Sequence, residues 1–319
     1  MRPEYFVSVC VAERDDVAVE LRRLPALVAQ VEAGFAWWEV ILTVRASSLP
    51  LVREAGPWLA RLQGVRVAVV ADAQGHDERR AAGARLAIGD VVVVTAGDEV
   101  EGIDLPGIAA RAWQGRQAVV ARASGNAGRT VAAGMLAAVT GFEVDAGHLA
   151  TVAMRRDVLD VLSARTGFPV ELRYRAKGGP VRYEGMDMPG VRPGRSRGGR
   201  LDLLMALFAA SSERYLAAFA VGGASVSVVA VAYGAYAVAA WVMLPAVQPG
   251  WLTSSLALSG STAFVGVGLA VIALGIARLA SVAGRGGPGS VVEELANASF
   301  RVPPGMPNVE RTDGAGVVG

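Results

Sequence analysis

The stretch GDVVVVTAGDEVEGIDLP, residues 89–106, joins a run of four valines to a turn rich in acidic residues. A short apolar run enclosed by turn formers is typical of a strand buried in a parallel sheet. We therefore predict a strand at 90–95, with Asp98 and Glu101 just beyond its carboxyl end. Comparable runs, each read as a further strand, occur at 5–11, 38–44, 65–71 and 117–122.

Longer amphipathic segments alternate with these runs, at about 15–33, 49–63, 76–88 and 107–114. This alternation predicts an α/β domain with a doubly wound sheet and right-handed crossovers. Beyond that sheet, the pattern predicts an Ala-rich helix near 129–140 and a strand followed by a helix at 149–163.

A long uncharged region lies in the C-terminal half: no Lys, Arg, Asp, Glu or His occurs between Tyr215 and Ala277. It predicts two membrane spans, roughly 216–244 and 252–277, joined by the short turn PAVQPG. Arginines flank the pair on both outer sides, so the positive-inside rule places both termini in the cytoplasm. These arginines are Arg200, Arg214, Arg278 and Arg285.

A basic segment, PGVRPGRSRGGR at 189–200, precedes the first span and leads into apolar residues at helical spacing. We interpret 191–214 as a basic loop and an interfacial helix that lies against anionic headgroups. The alternative is a linker followed by an ordinary packed helix. The first interpretation assigns four arginines to lipid phosphate or headgroups: Arg192, Arg195, Arg197 and Arg200.

Composition excludes several classes of function. The net charge of +2, without a basic stretch interleaved with aromatic residues, argues against nucleic-acid binding. One cysteine and two histidines cannot form a disulfide framework or a zinc cluster. The Gly-x-Ser-x-Gly match at 194–198 follows no strand, so it does not predict a nucleophile elbow. Acidic residues interrupt the start of the chain, and we expect no cleaved targeting peptide there.

The order and spacing of several motifs resemble family 2 glycosyltransferases that act on polyprenyl phosphates. In that family Gly-Asp opens a strand whose end carries an Asp-x-Asp pair, as 89–98 does in part. Residues 73–90, AQGHDERRAAGARLAIGD, are similar to the family's Asn-Phe-Gly-Lys helix. Residues 249–295 resemble the second membrane helix and exit segment of its dolichyl- or bactoprenyl-phosphate members.

The resemblance implies a GT-A (Rossmann-like) nucleotide-diphospho-sugar transferase domain at 1–190, followed by the interfacial segment at 191–214. A transmembrane hairpin at 215–284 and a partly disordered cytoplasmic tail at 285–319 complete the expected organisation. The expected location is the bacterial inner membrane, in a multi-pass arrangement. An active member would take a nucleotide-sugar donor, Mg²⁺ or Mn²⁺, and polyprenyl phosphate. An inactive member would need no cofactor.

The chain departs from the family pattern at the residues that carry the chemistry. Ala96 replaces the first carboxylate of Asp-x-Asp, which leaves Asp98 and Glu101 as the candidate metal ligands. In the positions that surround the nucleotide-sugar, the chain has Glu13, Arg45 and His76. Ala150 takes the place of a carboxylate near the acceptor, and no catalytic residue can be assigned.

The polar residues that remain at the family's motif positions also have a purely structural interpretation. Asp98 could cap a loop, His76 could be a surface residue at a helix N-terminus, and Arg45 could form a salt bridge with Asp98 or Glu101. Two functions stay open at this point. One is transfer of sugar to polyprenyl phosphate. The other is an inactive homologue that serves as a binding or scaffold subunit, as a homo-oligomer or with another envelope protein.

Overall fold

The computed structural model of the protein describes residues 3–115, 117–123, 134, 137, 140–143, 147–165, 167–191, 207, 210–244, 248, 250–284 and 291–296. Within them, eight strands form one mixed sheet and two short strands form a second. The strands are β1 Phe6–Ala12, β2 Trp37–Arg45, β3 Val65–Val70, β4 Val91–Thr95, β5 Ala118–Ala123, β6 Phe142–Glu143, β7 His148–Arg155, β8 Arg175–Ala176, β9 Tyr183–Met188 and β10 Val291–Ala296.

Helices connect the strands of the N-terminal part and form the apolar C-terminal part. They are α1 Val17–Gly34, α2 Leu49–Leu59, α3 His76–Leu86, α4 Leu105–Gln114, α5 Arg156–Ser163, α6 Phe168–Glu171, α7 Ser212–Met243 and α8 Trp251–Gly284. Two 3₁₀ turns, Ala46–Ser48 and Val100–Gly102, follow β2 and β4.

The large sheet has the spatial order β10-β3-β2-β1-β4-β7-β5-β9. The four strands β3, β2, β1 and β4 are parallel, whereas β7 runs antiparallel to both of its neighbours. Alternate side chains of these strands enter two apolar cores, one on each face. Val9 and Leu42 belong to the core that α1, α2 and α4 cover, and Ile41 and Val92 belong to the core under α3 and α5.

This three-layer architecture confirms the predicted fold class at the level of an α/β domain followed by two long apolar helices. The predicted strand and helix at 149–163 are confirmed as β7 and α5. The helix predicted at 129–140 lies mostly outside the described residues, where only 134, 137 and 140 are seen to be helical.

Helices α7 and α8 pack as an antiparallel pair with small residues between them. A side chain at Gly223 would meet the backbone of Gly266, and the Ser227 hydroxyl donates to the Ala263 carbonyl oxygen at 3.0 Å. Large apolar side chains point outward instead, such as Phe264, which is 80% exposed. Small residues inside and large apolar residues outside are typical of helices packed in a bilayer. Two segments, Tyr215–Met243 and Trp251–Ile276, are long and apolar enough to cross one.

Strand β10 lies in the segment that we predicted as the C-terminal tail. It pairs antiparallel with β3 and forms the outer edge of the large sheet. The chain therefore returns to the α/β domain after the second apolar helix.

Candidate functional site

The parallel strands β1 to β4 end at one edge of the sheet, which we call the carboxyl edge. Open α/β sheets bind their ligands in the crevice beyond this edge. The residues that follow these strands are therefore the candidate site: Glu13 and Arg14 after β1, Asp72 after β3, Asp98 after β4, and Arg45 at the end of β2.

The carboxylate of Glu13 is fully engaged by neighbouring groups of the protein. Its carboxylate is 1% exposed and accepts hydrogen bonds from the Arg45 guanidinium at 2.6 and 3.0 Å and from the Arg45 backbone N–H at 2.8 Å. The Ser48 hydroxyl donates a further bond at 2.8 Å. The hydrogen bonds to Glu13 also stabilise the charged form of Arg45, so they raise the pKa of that guanidinium above its usual value. The sequence alternative that paired Arg45 with Asp98 or Glu101 is wrong, because Arg45 pairs with Glu13.

The backbone carbonyl oxygen of Glu13 accepts hydrogen bonds from two side chains of α3. The Arg79 guanidinium donates to it at 3.1 and 3.2 Å, and the His76 Nδ1–H donates at 3.2 Å. Burial lowers the pKa of His76 to about 4, and the nearby positive charge of Arg80 acts in the same direction. His76 is therefore neutral at neutral pH and brings no positive charge to the place where the resembled family has a lysine.

Asp98, the first candidate metal ligand, also has a cationic partner. Its carboxylate accepts a hydrogen bond from the Arg14 guanidinium at 2.8 Å, and both side chains remain partly exposed. Ala96 is fully buried at the end of β4 and brings no charge. Glu101 is exposed in the 3₁₀ turn that follows. Among the described residues, no group of three or more His, Cys, Asp or Glu side chains is placed to hold a metal ion.

A buried carboxylate that the sequence analysis missed lies beside this turn. Glu20, in the first turn of α1, is 6% exposed, and its carboxylate fills the space where a side chain at Gly97 would stand. It lines a small cavity of about 40 Å³ together with Arg23, Gln30 and Glu101. Burial raises the pKa of Glu20 to about 7, and the negative charges of Asp98 and Glu13 add to that effect.

A second buried network crosses from the β4 loop to β7. The Glu99 carboxylate accepts hydrogen bonds from the backbone N–H groups of Ala150 and Thr151 at 2.8 and 2.9 Å. The carbonyl oxygen of Ala150 accepts a hydrogen bond from the buried Arg80 guanidinium. Ala150 therefore takes part only through its backbone, in a place where the resemblance expects an acceptor-side carboxylate.

The predicted lipid-phosphate cluster lies outside the described residues. It comprises Arg192, Arg195, Arg197 and Arg200, and it stays a prediction. Leu207, farther along the predicted interfacial helix, is fully buried against Phe142, Val170 and Tyr174. At this residue the segment packs on the α/β domain, as its alternative interpretation expects.

No protein-family model matches the chain, and no curated protein matches it. Several solved structures are similar in fold. A 4-diphosphocytidyl-2C-methyl-D-erythritol synthase from Anaerococcus prevotii is 11% identical, over 63% of this chain and 96% of that one, with a TM-score of 0.40. Glucosyl-3-phosphoglycerate synthase from Mycobacterium tuberculosis is 18% identical, over 65% and 80%, with a TM-score of 0.45. Mannosyl-3-phosphoglycerate synthase from Rubrobacter xylanophilus is 14% identical, over 66% and 74%, with a TM-score of 0.43.

Two of the mycobacterial structures are complexes with Mn²⁺ and uridine diphosphate. Those ligands belong to that protein. In the present chain, the carboxyl edge has two acids already paired with arginines, a neutral histidine and a buried alanine. Asp72 accepts a hydrogen bond from the Ser47 backbone N–H, and Glu101 is exposed. The charges of Glu13 and Asp98 are thus balanced by arginines. Among the described residues, no three acidic side chains come together to hold a divalent cation.

Proposed function

We propose that this chain is a membrane-anchored, glycosyltransferase-like protein that serves as a binding or scaffold subunit and does not carry out metal-dependent sugar transfer. Its partner would be an active glycosyltransferase or another envelope protein at the cytoplasmic face of a bacterial inner membrane. The lipids beside it would include polyprenyl phosphate.

The observation that carries this proposal is the double pairing of Glu13 with Arg45 and of Asp98 with Arg14. A nucleotide-sugar brings a diphosphate whose charge a divalent cation neutralises, and that cation needs free carboxylates. Here Glu13 and Asp98 are each paired with an arginine, and Asp72 accepts a hydrogen bond from the Ser47 backbone N–H at 2.9 Å. To recruit Glu13 and Asp98, a cation would have to displace two guanidinium groups. That of Arg45 makes three hydrogen bonds, two to Glu13 and one to the carbonyl oxygen of Asp15.

Restoring the missing carboxylate tests this proposal. We expect Ala96→Asp to gain Mn²⁺ affinity in calorimetric titration with the metal alone, and more so when Arg14→Gln releases Asp98. The matched control is Ala96→Asn, which has the same shape without the charge. Measurable Mn²⁺ binding by the wild type, with no gain in Ala96→Asp, would show that the wild-type edge already holds a metal, and the proposal would be wrong.

The membrane arrangement has its own test. In a Cys10→Ser background, we expect Gln248→Cys to react with an impermeant maleimide in intact cells, because it lies in the turn between the two apolar helices. Ser290→Cys should react only after the cells are lysed. The reverse pattern would exclude the hairpin with both ends in the cytoplasm.

A second candidate function is sugar transfer to polyprenyl phosphate without a metal ion. The observation in its favour is that Arg14 and Arg45 remain partly exposed at the carboxyl edge, where a diphosphate could draw them away from their acids. A polyprenyl phosphate is already an anion, so this reaction needs little activation of the nucleophile. Donor binding that is strong and independent of metal would favour this candidate over the scaffold.

A further inference from the structure

Strand β10 is integrated into the α/β domain through both its backbone and its side chains. It pairs with β3 from Val291 opposite Val70 to Ala296 opposite Arg66. Val291 packs against the core on one face of the sheet, and Leu295 packs against the core on the other. The strand is thus part of the domain, although it follows the apolar hairpin in the chain.

Two ion pairs hold β10 in this register. The Arg66 guanidinium lies between Glu294, at 2.7 Å, and the fully buried Glu39, at 2.8 Å. Arg53 on α2 pairs with Glu293 at 3.1 Å, although both side chains are more exposed. Because Arg66 is already fixed by a buried acid, Glu294 gains a partner that is held in place.

The direction of β10 makes the chain that leaves the hairpin enter the sheet at the carboxyl edge. Since β10 is antiparallel to β3, its first residue lies at the carboxyl end of β3. Residues 285–290 join it to Gly284, the last residue of α8. Seven Cα–Cα steps span at most about 25 Å. The carboxyl end of β3 therefore cannot lie farther than that from the end of α8.

The other end of the hairpin is attached across the sheet. Leu207, which precedes α7, is buried against Phe142, Val170 and Tyr174. Arg173, next to Tyr174, donates to the carbonyl oxygen of His148, the residue that begins β7 at the carboxyl edge. Both connections to the apolar helices thus leave the domain near this edge, one from the β10 side of the sheet and one from the β7 side.

We propose that β10 is an intramolecular clamp that holds the carboxyl edge of the sheet facing the bilayer. This inference rests on the proposed membrane anchoring. With two attachments the domain cannot turn over, whereas with the Leu207 attachment alone it could pivot. A ligand of the candidate site would then approach from the membrane surface.

The test uses the full chain in lipid vesicles whose headgroups carry a fluorescence quencher. A dye is attached, in a Cys10→Ser background, to Ser47→Cys at the carboxyl edge or to Ile88→Cys at the amino edge. The two edges are separated by the length of a strand, about 20 Å. We expect at least twofold stronger quenching at Ser47 than at Ile88. Equal quenching, or stronger quenching at Ile88, would overturn the proposal.

Charge reversal on β10 distinguishes the contribution of the clamp to the domain's orientation from that of the Leu207 attachment. Glu293→Lys/Glu294→Lys puts like charges beside Arg53 and Arg66 and should abolish the difference between the two dyes. The matched control is Glu184→Lys/Asp187→Lys on β9, the opposite edge strand, which should keep it. In a Glu293→Lys background, a disulfide between Ala68→Cys and Glu294→Cys, which are register partners, should preserve the difference without either ion pair. A difference that persists in the Glu293→Lys/Glu294→Lys variant would show that β10 is not the clamp.

Flotation of the same vesicles distinguishes the two possible failures. Protein that does not float with the lipid would contradict the proposed anchoring, and the clamp proposal with it. Protein that floats but is quenched equally at both positions would contradict the clamp alone.

Discussion

Replacing Arg45 with alanine is expected to lower the free energy of unfolding by about 2–3 kcal/mol, below the range of about 3–5 kcal/mol for a fully buried ion pair, because Arg45 is 31% exposed. The Glu13 carboxylate is almost completely buried and would keep only the Ser48 hydroxyl as a side-chain donor. An uncompensated charge would then remain at the end of β1. Thermal unfolding of the full chain in detergent micelles, followed by tryptophan fluorescence, measures the loss.

The double variant Glu13→Gln/Arg45→Met provides the control. It removes both charges together, so it should recover most of the stability that Arg45→Ala loses. If Arg45→Ala were as stable as the wild type, Glu13 would have access to water or to another cation. The claim that Arg45 is committed to Glu13 would then be wrong.

Glu20→Gln is expected to stabilise the protein at pH 8 by about 2–3 kcal/mol and to leave its stability unchanged at pH 4. Burial raises the pKa of Glu20 to about 7 from its usual 4.5, and each pKa unit corresponds to about 1.4 kcal/mol. The folded protein therefore binds more protons than the unfolded chain between these two values. Wild-type stability should fall as the pH rises through this window, and the variant should lack this contribution.

The groups around Glu20 identify the cause of that dependence. Arg23 and Arg14 favour the charged form, whereas burial and the acids Asp98 and Glu13 disfavour it. Glu32→Gln, an exposed position on the same helix, is the matched control and should leave the pH profile unchanged. A Glu20→Gln profile that parallels the wild type from pH 5 to 8 would show that Glu20 keeps an ordinary pKa.

Much of the fold could be predicted because its signals are local. Four valines in a row at 91–94 form a strand buried on both faces, and the uncharged stretch after Tyr215 forms two long helices. Strand β10 could not be predicted this way. Its sequence, VVEELA, has a weak strand pattern, and its place is decided by Arg53, Arg66 and the free edge of β3, all more than 200 residues away.

The site was predicted as a set of residues but not as a set of pairs. The resemblance gave Glu13, Arg45, His76 and Asp98 as candidate site residues, and the structure has them near one another at the carboxyl edge, while their roles stay predictions. Which acid meets which arginine depends on side-chain reach across neighbouring strands, and spacing does not encode that. The burial of Glu20 could have been predicted from the sequence, because Glu20 lies between Val17 and Leu24 on the buried stripe of α1. An acid on such a stripe predicts a buried carboxylate.

Titration with nucleotide-sugars shows whether the carboxyl edge holds a metal-dependent donor site. Wild-type protein in detergent is titrated with UDP- or GDP-sugars, with and without Mn²⁺, and its thermal unfolding is followed. A ligand at 100 times its Kd would add about 2.7 kcal/mol of stability, which such an assay detects. We predict no Mn²⁺-dependent stabilisation. A clear Mn²⁺-dependent shift that Asp98→Ala abolishes would contradict this account and place the protein among the active transferases.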